Sequence, residues 1–187
     1  MRKLMLTFIS SVALLWVAGC GGSVAWKVTD AKQPLASKNG YFLKPPSKWM
    51  VYEESGVTLL TRHGATMDLI QIKKIPVLSP MPHTTMMIDS SMQVYEVAEV
   101  VISNLRAGPG IYDLDLEEMS PASIDDKEGF LIRFSYALEN GLTRRCFVFG
   151  FVSGGWYHEI GYYALEDFYY DNSLDAFLNV VESFSLL

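Results

Sequence analysis

The residues of this 187-residue chain that could do chemistry are three histidines, two cysteines and some clusters of carboxylates and thioethers. His63, His83 and His158 stand far apart, and none falls in H-E-x-x-H or in a close His/Cys spacing that would hold a metal ion. His63 precedes Gly64 and reads as a turn residue, and His158 reads as a structural histidine at a hairpin end. No serine stands in a G-x-S-x-G elbow. Ser153-Gly154-Gly155 is glycine-rich, but no helix start follows it, so it reads as a hairpin turn and not a phosphate cradle. Cys146 has Arg144 and Arg145 beside it, and a neighbouring cation lowers a thiol pKa. On a strand, however, Arg145 points to the opposite face, and Cys146 reads as buried and inert among Ser135, Val148 and Tyr163. Asp113, Asp115 and Glu117 alternate as calcium ligands do, but the glycine and the closing glutamate of a calcium loop are missing. A solvated strand face is the expectation there, and Asp125, Asp126 and Glu128 read as turn carboxylates. Met81, His83, Met86, Met87 and Met92 offer thioethers and an imidazole, which suit Cu(I). Their spacing is irregular, and apolar residues before a helix usually pack as a staple. No catalytic residue, no cofactor and no metal is expected.

Cys20 stands in another context. Arg2 and Lys3 form a short positive region, and Leu4 to Gly19 is an uncharged apolar run of sixteen residues, too short for a spanning helix. The run closes on Val17-Ala18-Gly19-Cys20, an aliphatic residue, two small residues and a cysteine. This resembles the lipobox of bacterial prolipoproteins. The resemblance implies diacylglyceryl attachment to the Cys20 sulfur, cleavage before Cys20 and acylation, such as by palmitate, of the new amine. The expected organisation is a signal peptide over 1–19, a lipidated tether over 20–39 and one domain over 40–187. The partner implied is a membrane, held through the acyl chains on Cys20 and not spanned. Gly21 replaces the aspartate that resembles an inner-membrane retention signal, so the periplasmic face of an outer membrane is the expected location. With Cys20 lipidated, Cys146 has no internal disulfide partner.

The elements that must position these residues follow from patterning. Half the residues are hydrophobic, 19% are charged and the net charge is −6, which excludes a disordered chain and a general binder of nucleic acid. Tyr41–Leu43, Trp49–Tyr52, Val57–Thr61 and Met67–Lys73 read as strands, with Glu53-Glu54-Ser55-Gly56 as a hairpin turn and Ile70 and Ile72 on one face. Ser90 and Gln93 have capping-box spacing, and Val94, Val97, Ala98, Val101 and Leu105 make one helical stripe ended by Gly108-Pro109-Gly110. Tyr112, Leu114 and Leu116 alternate with acids as a half-buried strand. Asn140-Gly141 and Gly154-Gly155 read as two-residue loops. That register sets Phe134 opposite Phe147, Phe130 opposite Phe151 and Phe151 opposite His158. It collects the large apolar residues of three strands on one face and leaves Gly150 and Gly161 on the other, with room for something to pack closely. A last helix is capped at Asn172 or Ser173 and carries Leu174, Phe177, Leu178 and Val181. The fold class expected is α+β, an antiparallel sheet covered by helices.

The segments Pro46-Ser47-Lys48-Trp49, Gly155-Trp156-Tyr157 with Tyr162-Tyr163-Ala164, and Val180-Val181-Glu182-Ser183-Phe184 resemble the PsbP-like family. That family includes an extrinsic photosystem subunit, Ran-binding nuclear import factors and small envelope lipoproteins. The resemblance implies an α/β/α sandwich that assists a larger complex and has no catalytic centre, and no functional residues carry over from it. Tyr157, Phe168, Tyr169 and Tyr170 are the candidate partner surface, because tyrosine serves at half-wet contacts and three consecutive aromatics cannot all be buried equally by one regular element. The function expected is a membrane-anchored, non-catalytic interaction or accessory module of a larger envelope complex, with an envelope protein as its partner. The alternative is a binder or carrier of an apolar ligand such as a lipid, in a pocket lined by Phe130, Phe149 and Ile160.

Overall fold

The computed structural model describes residues 26–187. The expected signal peptide and Cys20 lie outside the described residues. The strands are β1 (Lys27–Val28), β2 (Leu35–Ser37), β3 (Tyr41–Leu43), β4 (Met50–Glu54), β5 (Val57–Thr61), β6 (Asp68–Pro76), β7 (Tyr112–Ile124), β8 (Lys127–Ala137), β9 (Thr143–Ser153), β10 (Trp156–Leu165) and β11 (Ser185–Leu186). The helices are α1 (Val94–Arg106) and α2 (Asp171–Ser183), the second preceded by a π-helical turn over Glu166–Tyr170. Eight strands form one antiparallel sheet in the order β1-β4-β5-β6-β10-β9-β8-β7, and β11-β3-β2 form a small second sheet. The domain therefore reaches back beyond residue 40: β1 pairs with β4, and β2 with β3, inside the stretch expected to be tether.

The two faces of the large sheet carry two separate cores. On one face, Val97, Ala98, Val101 and Leu105 of α1 pack on Phe130, Ile132, Phe134, Cys146, Val148 and Tyr157. On the other, Phe177 and Val180 of α2, with Tyr41 and Leu43 of β3, pack on Ile70, Ile72, Phe151, Ile160 and Tyr162. The architecture is one domain dominated by antiparallel sheet, and its two 13-residue helices cover only part of it. α1 lies over β7, β8 and β9. Beyond it, on the same side, Met50, Tyr52, Leu59 and Leu69 are half-buried and pack into neither core.

The hairpin β9–β10 has the expected register, with Phe151 opposite His158 and Phe149 opposite Ile160. The hairpin β8–β9 does not. Its loop is the three residues Glu139-Asn140-Gly141, so Phe134 faces Cys146, Ile132 faces Val148 and Phe130 faces Gly150. Gly141, at φ 81°, takes the left-handed position, and its N–H donates to the Leu138 carbonyl at 2.9 Å. The one-residue change sends Phe130, Ile132 and Phe134 to the α1 side, while Phe147, Phe149 and Phe151 stay on the α2 side. Cys146 accordingly lies opposite Phe134 and Tyr163 and not beside Ser135. What packs closely on the glycines is aromatic. The Phe130 ring lies directly over Gly150, and a Cβ on Gly161 would stand 2.7 Å from the Tyr163 ring.

Both helix starts also differ from expectation. The N-cap of α1 lies three residues later than Ser90: it is Gln93, whose N–H donates to Glu96 at 2.8 Å. Asn172 and Ser173 lie inside α2, because the π turn runs straight into it. Leu178 of the expected stripe is exposed, and Ser173, Phe177 and Val180 face inward. β7 continues to Ile124 through two bulges, and Asp125 and Asp126, both at positive φ, make the tight turn to β8.

Candidate functional site

The loop between β5 and β6 folds around one carboxylate. Asp68 is fully buried, and its Oδ1 accepts from the Thr61 hydroxyl (2.9 Å) and from the N–H groups of Arg62 (3.1 Å) and His63 (2.9 Å). Its Oδ2 accepts from the Ser173 hydroxyl of α2 at 3.1 Å and pairs with His63 Nδ1 at 2.8 Å. Burial alone would push the Asp68 carboxyl up, but the donors from His63, Thr61 and Arg62 outweigh it and hold the group below the usual range. The carboxylate thus ties the loop to α2 and fixes the plane of the His63 ring.

His63 in turn meets the edge of Tyr169 at 5.3 Å between centroids, and Tyr169 meets Phe168 edge-on at 5.3 Å. Phe168 is 59% exposed and Tyr169 half-buried. The π turn that carries them is pinned from below: the Tyr162 hydroxyl lies 2.9 Å from the carbonyl oxygens of both Tyr169 and Tyr170. The Asn172 side-chain amide donates to the Phe168 carbonyl at 2.6 Å. The result is a surface ladder of Phe168, Tyr169 and His63 standing on Asp68. A histidine oriented by an aspartate is also the arrangement of a catalytic base, which needs a nucleophile at its other nitrogen. Here the two hydroxyls on the carboxylate, Thr61 and Ser173, both donate to Asp68, and the ladder presents aromatic area and one imidazole to the surface.

The four-residue surface expected from sequence is therefore divided. Phe168 and Tyr169 are together at the surface. Tyr170 is only 4% exposed, stacked on Tyr162 at 5.4 Å with the Arg145 guanidinium 4.5 Å over its ring. Tyr157 is 0% exposed, because strand alternation turns it into the α1-side core against Phe130. Neither belongs to a docking surface. His63 and Asp68 complete the site and were not assigned to it by sequence, since what joins them to it, Ser173 at 105 residues from Asp68 and the Tyr169 ring, comes from the far end of the chain; the run Thr61-Arg62-His63-Gly64 signalled only a turn.

The Tyr157 hydroxyl donates to Glu159 at 2.8 Å, and the Tyr163 hydroxyl to the same carboxylate at 3.2 Å. Lys73 pairs with Glu159 at 2.8 Å. Burial first and the Glu159 charge second push both phenols well above their ordinary range. With three donors on two oxygens, this buried carboxylate is satisfied within the sheet.

The other chemistry-bearing residues stay apart. Burial pushes the Cys146 thiol up. His158 stacks on Phe151 at 5.0 Å and is pushed down by burial and by Lys74. Met81 is buried, while His83, Met86 and Met87 are exposed. Among the described residues no group of three histidine, cysteine or acidic side chains is placed to hold a metal ion, and no helix is long and apolar enough to cross a membrane. The expected apolar pocket is not formed as drawn: Phe149 and Ile160 pack in the α2-side core. Phe130 instead lines two clefts of about 330 and 370 Å³ beside the start of α1.

No family model and no curated protein matches the chain in sequence. Solved structures do match its fold. It is similar to the cyanobacterial PsbP of Synechocystis, with a TM-score of 0.56 at 14% identity, over 91% of this chain and 99% of that one. It is similar to LpqN of Mycobacterium tuberculosis, a protein involved in cell envelope biogenesis, with a TM-score of 0.54 at 16% identity, over 82% of this chain and 89% of that one. A protein of unknown function from Pseudomonas aeruginosa, described as a putative regulator, matches with a TM-score of 0.51 at 9% identity, over 80% and 93% of the two chains. The fold is PsbP-like.

Proposed function

We propose that the protein is a lipid-anchored envelope protein, held to a membrane through Cys20, that acts as a non-catalytic interaction or accessory module of a larger envelope complex. The observation that carries the reading is the ordered aromatic ladder of Phe168, Tyr169 and His63. Exposed aromatic side chains on a rigid support are the anchors that protein interfaces use, because they present large area at little cost in side-chain entropy. The lipobox at Val17-Ala18-Gly19-Cys20 supports the anchored location, with the periplasmic face of an outer membrane as the proposed site. The likeness to LpqN supports the envelope setting.

In-cell cross-linking with mass-spectrometric identification tests the reading. One recurrent envelope protein should be captured by the native chain. Phe168→Ala and Tyr169→Ala should lose it, and Cys20→Ala should lose it through mislocalisation. Capture that survives both aromatic substitutions overturns the assignment of the ladder. A second reading, a carrier of an apolar ligand, is favoured by the 370 Å³ cleft lined by Val94, Tyr95, Ala98, Met119 and Phe130. It requires co-purifying lipid that Ala98→Trp displaces.

A further inference from the structure

Charge is not spread evenly along this acidic chain. Residues 26–48 hold five lysines and one aspartate, whereas residues 49–187 hold eight basic and twenty acidic side chains. Lys27, Lys32, Lys44 and Lys48 are all exposed, and the fold gathers them. The Thr29 N–H donates to the Trp49 carbonyl at 2.7 Å, and the Lys48 N–H to the Thr29 carbonyl at 3.0 Å. The Thr29 hydroxyl reaches the Pro46 carbonyl, and Ala31 and Lys44 line one groove. Segments 26–33 and 44–48 are thus laced into a single corner at the β1 edge. Lys38 stands apart, at the opposite end of the β2–β3 hairpin, and donates to the Glu53 carbonyl. The carboxylates near the corner are Asp30 within it, Asp175 and Glu182 on the α2 wall of the groove, and Glu54, which accepts from the Tyr52 hydroxyl at 3.3 Å beside Trp26.

Apolar side chains stand in the open at the same edge but on the other face of the sheet: Trp26 and Val28, the latter opposite Met50, turn to the α1 side, whereas Lys27, opposite Val51, turns to the α2 side, where Lys44 lines the groove. Val28 is 76% exposed, and Trp26 is 42% exposed with its ring 5.4 Å from Tyr52. From Tyr52 the half-buried Met50, Leu59 and Leu69 extend the apolar surface over the uncovered part of the sheet. The described chain begins at Trp26, six residues after Cys20, a reach of about 20 Å at full extension.

We infer that the β1 edge, with Trp26, Lys27, Val28, Lys32, Lys44 and Lys48, seats the domain edge-on on an anionic lipid surface, with the lysines at the headgroups and Trp26 and Val28 in the interface. Tryptophan is suited to that depth, and each lysine near an anionic membrane adds a favourable increment that salt removes. The inference rests on the anchored reading for proximity to a membrane. It adds which side of the molecule faces that membrane.

The test uses the full chain purified from membranes and reconstituted in phosphatidylethanolamine vesicles with or without phosphatidylglycerol. A nitroxide is placed at Val28→Cys, and in a second sample at Glu128→Cys on the far side of the sheet. Cys146 is buried and leaves the labelling selective. In phosphatidylglycerol vesicles the position-28 label should be shielded from a water-soluble nickel chelate and accessible to oxygen, while the position-128 label stays fully aqueous. The shielding should be lost in about 1 M salt and in the variant with Lys27, Lys32, Lys44 and Lys48 all changed to Gln. An aqueous label at 28, or shielding that is equal without phosphatidylglycerol or in the four-glutamine variant, overturns the inference. The intact mass reports acylation of Cys20 separately. An unacylated chain sinks the anchored reading; Cys20→Ser then keeps the label at one position, and the same readings with added vesicles decide the seating.

Discussion

Asp68 shows how one side chain can hold a site without belonging to its surface. Five donors converge on its two oxygens, and two of them, from His63 and Ser173, join elements that share no other hydrogen bond described above. Asp68→Asn keeps the shape, removes the charge and sets an amide donor against donors. It should cost about 3 kcal/mol in urea unfolding. The pH dependence has a definite sign. The folded carboxyl sits below its unfolded value of about 3.9, so its contribution is complete above that value and is lost as pH falls through the folded one. The melting temperature of the native protein should therefore drop on acidification below about pH 4, and the drop should be shallower in Asp68→Asn. Gly150 gives a second residue-scale expectation. An alanine there meets the Phe130 ring and should destabilise by about 1–3 kcal/mol, with Phe130→Leu recovering part of the loss.

At the scale of elements, the pairing of Leu138 with Leu142 across the loop Glu139-Asn140-Gly141 fixes the sides taken by β8. Deleting Glu139 shortens the loop to Asn140-Gly141 and leaves Leu138 opposite Leu142, so Phe134 still faces Cys146 and no side chain of β8 changes face. The expected outcome is a retained cooperative thermal transition by circular dichroism, and Gly141→Ala, at positive φ, should cost about 1 kcal/mol. The pair of hairpins also marks how far the sequence could be read. Gly154-Gly155 reads correctly because both glycines take positive φ, and with it the β9–β10 register. Asn140-Gly141 misleads because only Gly141 takes positive φ and Glu139 joins the loop. Alternation could not correct the error, since a sheet buried on both faces tolerates apolar residues at either parity. The strands from β3 to β10, both helices and the PsbP-like resemblance are legible in periodicity and in short segments, whereas the short β1, β2 and β11 are not. The π turn has no sequence signature, so the exposure of Phe168 was foreseen while the burial of Tyr170 was not. Asp68 and Glu159 were illegible for a simpler reason: their local donors are aimed at them only by a loop shape and strand alternation that no motif records, and one donor to each, Ser173 and Lys73, comes from a distant element.

At the scale of the whole molecule, a core on each side of one sheet means that the middle strands are reached only when the domain opens. Cys146 reports on that. Its thiol is buried and held protonated, so its reaction with a disulfide reagent should be at least about 10³ slower than in the denatured chain and should track global unfolding. Fast labelling of Cys146 in the folded protein would show that α1 lifts from the sheet independently. The outer rims of that sheet behave differently from its centre. At one rim β1 is two residues long. At the other, β7 is thirteen residues long, but two bulges, Pro121 and the positive φ of Asp113 break its row of outward donors and acceptors, and Asp115 and Glu117 line it with charge. A second chain laid along either rim finds no continuous ladder to extend. On the anchored reading proposed above, copies would meet at high two-dimensional density, and this blunted outline would let them crowd without growing into fibres.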